Sequence, residues 1–189
     1  MATSAAEIAS NALGILGGEP ITALTDNSQR GRLCNRLYQP TMDEVLRAHP
    51  WNCAKVRREL ARNQTAPIWD FSYAYTLPTD PWCLRILETD LDEDGYEWQV
   101  EGRTLVSDQS SVKILYIGRI SDPTRFDSLC EAAITHRLAA KMAYAITENA
   151  SKVGDLWNLY AAILKEARSV DGQEGTIRQF TTKALTEVR

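Results

Sequence analysis

The sequence predicts a mainly α protein: a helical bundle of about five helices, a small antiparallel β subdomain inserted between helices 3 and 4, and an extended C-terminal arm. Three changes of period predict it. Apolar residues return every three or four positions through residues 5–60 and again through 122–170, alternate with polar ones between these stretches, and lose all period beyond residue 171. The expected division is therefore 1–66 and 122–170 for the bundle, 67–121 for the strands and 171–189 for the arm.

Ser4 followed by Glu7 makes a capping box, and Ile8, Ala12, Ile15 and Leu16 form a stripe that stops at Gly17-Gly18, so a short first helix is expected there. After the polar loop around Thr25 to Ser28, Leu33, Leu37, Tyr38, Met42, Val45 and Leu46 mark the second helix, on which Arg36, Asp43, Glu44 and Arg47 form the wet face. Pro40 lies inside it, removes one backbone donor and is expected to kink or restart the helix. His49-Pro50-Trp51-Asn52 then reads as a corner pinned by the indole, with Pro50 favouring a first-turn position and a third helix running to Leu60. Tyr38, Pro40, Pro50, Trp51 and Asn52 are the structural corner residues.

From Trp69 the period becomes two, with Phe71, Tyr73, Tyr75 and Leu77 on one face. Further short strands are expected over Leu84 to Leu87, Glu97 to Val100, Thr104 to Val106 and Val112 to Ile117, separated by Asp94-Gly95, Glu101-Gly102 and Ser107 to Ser111, which gives four or five in all. Asp122-Pro123 reads as a cap with proline at the first position of the fourth helix, which carries Phe126, Leu129, Ala133, Ile134, Leu138, Met142 and Ile146. Val153, Leu156, Trp157, Tyr160, Ile163, Leu164 and Ala167 mark the fifth, expected to pack antiparallel to the fourth. Beyond Asp171-Gly172, Ile177, Phe180, Leu185 and Val188 are scattered among Thr, Lys and Arg. That segment reads either as a frayed terminus or as an arm that orders against a neighbour with Phe180 as its anchor.

The 189 residues are 44% hydrophobic and carry a formal charge of −4, which suits a folded protein with one good core and argues against general affinity for nucleic acid. Charge is nonetheless segregated along the chain. Arg47, Lys55, Arg57, Arg58 and Arg62 cluster near the corner, and Glu88, Asp90, Asp92, Glu93, Asp94, Glu97 and Glu101 crowd a later segment. These are either solvated faces or complementary patches between copies of the chain. Cys34, Cys53, Cys83 and Cys130 form no CxxC pair and read as thiols of a reducing compartment. The opening MATSAAEIAS lacks a basic and an apolar signal region, so neither export nor membrane insertion is expected.

One motif has metal-ligand spacing. Asp90-x-Asp92-x-Asp94-Gly95-x5-Glu101 fits the calcium-loop pattern of alternate oxygen ligands and a glycine at the sharp turn. Strand-like flanks and Glu97 at the inward position favour an Asp-Gly hairpin with acidic neighbours instead, so no metal and no cofactor is expected. Neither GxSxG nor a phosphate-binding glycine loop occurs, and His49 and His136 read as a corner residue and a helix-face residue.

Arg36-Leu37-Tyr38-x-Pro40, Asp43-x-Val45-Leu46-x-x-His49-Pro50-Trp51-Asn52-x-Ala54, and Tyr75-x-Leu77-Pro78-x-Asp80 with Leu84-Arg85 beyond it, resemble the head-to-tail adaptor family of tailed phages, the tail tubular protein A group. The similarity spans most of the chain; Cys53 stands where the family usually has Phe. It implies a non-enzymatic virion protein, assembled in the host cytoplasm and seated at the head-tail interface. Twelve copies in the family form a ring between the portal and the tail nozzle, lining the channel through which genomic DNA passes without sequence-specific binding. In related adaptors the C-terminal arm reaches the portal, which here points to Ile177, Arg178, Phe180, Lys183 and Leu185. Twelve copies at −4 each would give the ring about −48, a sign that repels DNA from the channel wall. A peptidoglycan-degrading, muramidase-like virion protein using paired carboxylates and a DNA-binding module around Trp51, Lys55, Arg57 and Arg58 are the alternatives.

Overall fold

In the computed structural model, which describes residues 4–173 and all of their side chains except those of Glu93, Asp94 and Asp171, Ser4 caps the first helix: the Glu7 N–H donates to Ser4 Oγ and starts α1 (Ala5–Ile15). The chain leaves this helix through Gly17 at φ 77°. Ser28 caps α2 (Gln29–Ala48), accepting the Gly31 N–H at 2.9 Å. The loop before the helix lies so close that a Cβ on Gly31 would stand 2.4 Å from Asp26 O. α2 runs through Pro40 without restarting: the Thr41 hydroxyl donates to Leu37 O at 2.6 Å, and Cys34, Tyr38, Met42, Val45 and Leu46 stay buried on one face. Burial of that face offsets the lost backbone bond.

At the corner the last carbonyls of α2, which have no donor within the helix, are met from elsewhere. Trp51 Nε1 donates to Val45 O at 2.9 Å, Arg85 to Arg47 O at 3.1 Å and Arg168 to Ala48 O at 3.4 Å. Trp51 is fully buried with His49 edge-on at 4.9 Å.

The expected third helix does not form. A 3₁₀ turn over Asn52–Ala54 leads directly into strand β1 (Lys55–Glu59). Lys, Arg and Glu favour helix as isolated residues, and only Val56 of the five is drawn toward a core, so no strand period shows in the letters. Pairing with the apolar run Ile114-Leu115-Tyr116-Ile117 decides the matter, with Lys55 opposite Ile117 and Glu59 opposite Lys113. The fold is accordingly mixed α/β, 48% helical and 20% strand, rather than mainly α with five helices. Among the described residues there are four helices of eleven residues or more and six strands in two three-stranded antiparallel sheets.

The first sheet has the order β1-β6-β3, with β3 at Cys83–Thr89 and β6 at Lys113–Gly118. The second has the order β2-β5-β4, with β2 at Tyr73–Thr76, β4 at Trp98–Glu101 and β5 at Thr104–Ser107. Gly102 at φ 59° begins the two-residue connection from β4 to β5. No hairpin turns at Asp94-Gly95. A one-turn helix, α3 (Leu91–Asp94), ends there on Gly95 at φ 73°, and the flanking strands go to different sheets. Glycine in the left-handed region serves a helix end as well as a hairpin, so the two share the same letters.

Asp122-Pro123 opens a 3₁₀ turn over Pro123–Arg125 rather than the fourth helix. The helix α4 (Ser128–Thr147) begins after it, on Asp127, and α5 (Ala150–Asp171) follows a tight connection at Glu148 and Asn149. α4 is the centre of the helical layer and packs on α5, α2 and α1. Two apolar cores result. The larger lies among these helices and takes in Trp51, Leu84, Ile117 and Phe126; the smaller lies between the sheets around Tyr75, Leu77, Leu105, Ile114 and Tyr116. β6 serves both, Ile114 and Tyr116 facing the strands and Ile117 the helices, which accounts for its unbroken apolar run.

Candidate interaction surface

The two stretches singled out by their motifs, residues 36–54 and 75–85, meet in space. Arg47 Nη1 donates to Leu84 O while Arg85 donates back to Arg47 O, so helix α2 and strand β3 are tied by two reciprocal guanidinium bonds. Asp43 on the same helix takes a two-pronged bond from Arg119, with Nε at 2.9 Å and Nη2 at 2.5 Å. Tyr38, Val45, Leu46, Trp51, Ala54, Tyr75, Leu77 and Leu84 are all buried. Burial pushes the Tyr38 hydroxyl up to about 12, with the charges of Cys130 and Glu131 adding to it. Asn52 Oδ1 accepts Lys55 Nζ at 2.6 Å and Pro50 is half-buried. The corner is thus a joint between layers, with Tyr38 and Trp51 buried, Pro50 and Asn52 half-buried and Pro40 exposed.

The acidic segment is built into the fold as well. Asp90 Oδ1 accepts the Lys113 N–H at 2.8 Å, and Asp92 accepts the Thr89 N–H at 2.7 Å and the Trp98 indole N–H at 2.8 Å. Partial burial raises the Asp92 pKa, but those two donors outweigh it and hold the carboxyl below its ordinary value. Leu91, between them, is buried in the smaller core. Glu101 closes β4, so the oxygens required of a calcium loop are spread over a helical turn and a strand end. Parts of the basic and acidic clusters meet in space: Arg57, Arg58, Glu59, Glu88, Asp90 and Lys113 line one trough of about 340 Å³ across the first sheet. Opposite charges there compensate one another within a single chain.

One cluster among the described residues has three groups that could hold a metal. Ligand atoms of Cys53, Asp127 and Cys130 lie within 4.8 Å of one another. Their hydrogen bonds are those of a helix cap: Asp127 Oδ1 accepts the Leu129 and Cys130 N–H groups at 2.8 Å each, and Cys53 Sγ donates to Oδ2 at 3.4 Å. A bond with the Cys130 thiol, opposed by burial, lowers the Cys53 pKa. All four cysteines are free thiols.

His49 packs edge-on against Trp51, and His136 Nδ1 lies 2.8 Å from Ala132 O on its own helix. The five residues of the expected portal-contact arm, Ile177, Arg178, Phe180, Lys183 and Leu185, lie outside the described residues. No described helix is long and apolar enough to cross a membrane.

Outside the cores, large apolar side chains that reach the surface include Ile15, Tyr96, Tyr144 and Val170, and three further pairs. Trp157 and Leu159 lie on α5, where the Arg137 guanidinium stacks over the Trp157 ring at 3.5 Å and pairs with Glu44 at 2.8 Å. Trp82 and Val100 border a cleft of about 480 Å³ between β3 and β4. Ile68 and Trp69 stand out from the loop before β2, Ile68 fully exposed and Trp69 80% exposed. No protein-family model and no curated protein matches the chain. Sequence reasoning took Trp69 as the start of a strand because it is in phase with Phe71, Tyr73 and Tyr75; the flanking Pro67 and Asp70, turn residues on either side of an apolar pair, were the signal of a projecting loop.

Proposed function

We propose that the chain is a structural adaptor of a tailed-phage virion, a ring subunit that joins the portal to the tail nozzle and performs no catalysis. The observation that carries this reading is the destination of the motif residues. Segments 36–54 and 75–85, which resemble the head-to-tail adaptor family, converge on a single joint of buried side chains and guanidinium-to-carbonyl bonds between the helical and the β layer. Motifs of an enzyme would bring reactive groups to a cleft; these bring packing to a hinge point between two cores. The surface supports the same reading, with exposed aromatic side chains of the type that dominate protein contacts, and net negative charge suited to a channel wall that DNA must slide past.

Native mass spectrometry of the chain mixed with the portal ring from the same source tests it. A discrete complex carrying a full ring of this chain on each portal is expected, and removing residues 176–189 should abolish docking. A chain that ignores the portal ring at all ratios refutes the reading.

A further inference from the structure

We propose that the loop tip Ile68-Trp69-Asp70 is a knob that inserts into the cleft between β3 and β4 of a second copy of this chain, forming a head-to-tail contact. The knob is built to project. Phe71 N–H donates to Trp69 O at 2.9 Å, Asp70 lies in the left-handed region at φ 74°, and the loop base is held where Ser72 N and Oγ each donate to Asp108 Oδ1 at 2.8 Å. A loop shaped before contact loses little freedom on binding, and a nearly bare tryptophan has most of its apolar area still to bury.

The cleft matches it in size and chemistry. Its volume of about 480 Å³ falls within the roughly 300–1,000 Å³ of sites that enclose compact ligands, which is room for an indole and an isoleucine side chain. Trp82, Ile86, Trp98 and Val100 supply apolar walls. Arg85 and Arg103 supply positive charge, and their hydrogen bonds run to the backbone carbonyls of Arg47, Leu77, Pro78 and Cys83, which hold a guanidinium without cancelling its charge. Asp70, adjacent to the indole, is the complementary acid. The knob does not fill the cleft of its own chain, since Trp69 is left exposed there.

Knob and cleft are different surfaces of one chain, so the contact is heterologous and propagates from copy to copy, closing into a ring where the rotation allows. A single inserted side chain is the anchor of such an interface rather than its whole area. The contact extends the adaptor reading to named residues, and only ring closure rests on that reading; knob-in-cleft pairing can hold or fail without the portal.

Sedimentation velocity on the full chain, up to millimolar concentration, tests it with two variants. The double variant Ile68→Ser, Trp69→Ala lacks the knob, and Val100→Asp spoils the cleft at a half-exposed strand position. All alter surface side chains, and unchanged circular dichroism and melting establish that they fold. The wild type is expected to form assemblies larger than dimers as concentration rises, and each variant alone to associate on the order of 30-fold more weakly, the scale of one lost hot-spot anchor. Mixed together, knob variant and cleft variant should form a one-to-one dimer and stop, because only one complementary pair survives. A wild type that stays monomeric, variants that assemble like the wild type, or a mixture that stays monomeric overturns the contact. Portal docking by those same variants would leave the adaptor reading intact.

Discussion

Replacing Trp51 by alanine empties a fully enclosed indole site and leaves Val45 O, one of the unpaired carbonyls at the end of α2, without its donor. The expected cost is ~3–5 kcal/mol, large against a typical domain stability, whereas Trp51→Phe retains the aromatic packing and should lose ~1–3 kcal/mol for the orphaned carbonyl. Urea denaturation with a wild-type slope checks both; a Trp51→Ala protein as stable as the wild type would mean that the corner is not held by its indole. Glu44 gives a pH dependence of defined sign. Partial burial raises its pKa, but Lys141 and Arg137, by hydrogen bonding and charge, outweigh burial and hold it below the ordinary 4.5. A carboxyl that ionises more readily in the fold contributes stability fully above that unfolded value and loses it as pH falls through the lower folded value. Glu44→Gln should therefore show its full cost, less than about 1 kcal/mol for so open a pair, at pH 7, and converge on the wild type as pH falls below about 4.5, which flattens the acid side of the profile. Thermal melts from pH 3 to 7 read this directly.

At the scale of elements, the first turn of α4 depends on Asp127, whose Oδ1 takes two backbone N–H groups. Asp127→Ala should cost ~0.5–2 kcal/mol and, by removing the acceptor of the Cys53 thiol, alter the rate at which Cys53 reacts with a thiol reagent. Asp127→Asn should preserve the cap. Gly31→Ala sets a Cβ at 2.4 Å from a backbone oxygen that cannot step aside, so a loss of ~1–3 kcal/mol is expected where the same change on an open helix face would stabilise. Elements with their own caps and full apolar stripes were legible in the sequence: α1, α2 and α5 lie close to where their periodicity places them. Elements defined by a partner were not. β1 has one inward residue, Val56, and four letters that favour helix, and only β6 makes it a strand. The Asp94-Gly95 pair suits a hairpin or a helix end, and the choice was made by Leu91 entering the smaller core and by Asp92 binding the indole of Trp98. The α4 cap was sought one turn early because Asp122-Pro123 caps a 3₁₀ turn in the same manner that it would cap a helix. On the surface, the Ile68-Trp69 projection was not readable, since Trp69 in phase with Phe71 and Tyr73 looks like part of the following strand.

For the whole molecule, the placement of the cores separates folding from assembly. Every buried side chain of the two described cores comes from residues 8–167, and among the described residues the last element packed on them is α5, which ends at Asp171. A chain truncated after Gln173 keeps every residue of the two described cores and should therefore melt within about 2 °C of the full chain, a 1 kcal/mol change alone moving a domain of this size by ~2–4 °C. The same truncation should remove portal docking if the arm is the dock, while leaving knob-in-cleft association unchanged, since Trp69 and Val100 are both retained. The three readouts are independent. Loss of docking with an unchanged melt assigns residues 174–189 to the portal; a melt lowered by several degrees assigns them to the subunit's own stability, and the portal contact must then be sought on the exposed face of α5, where Trp157 and Leu159 reach the surface beside Arg137.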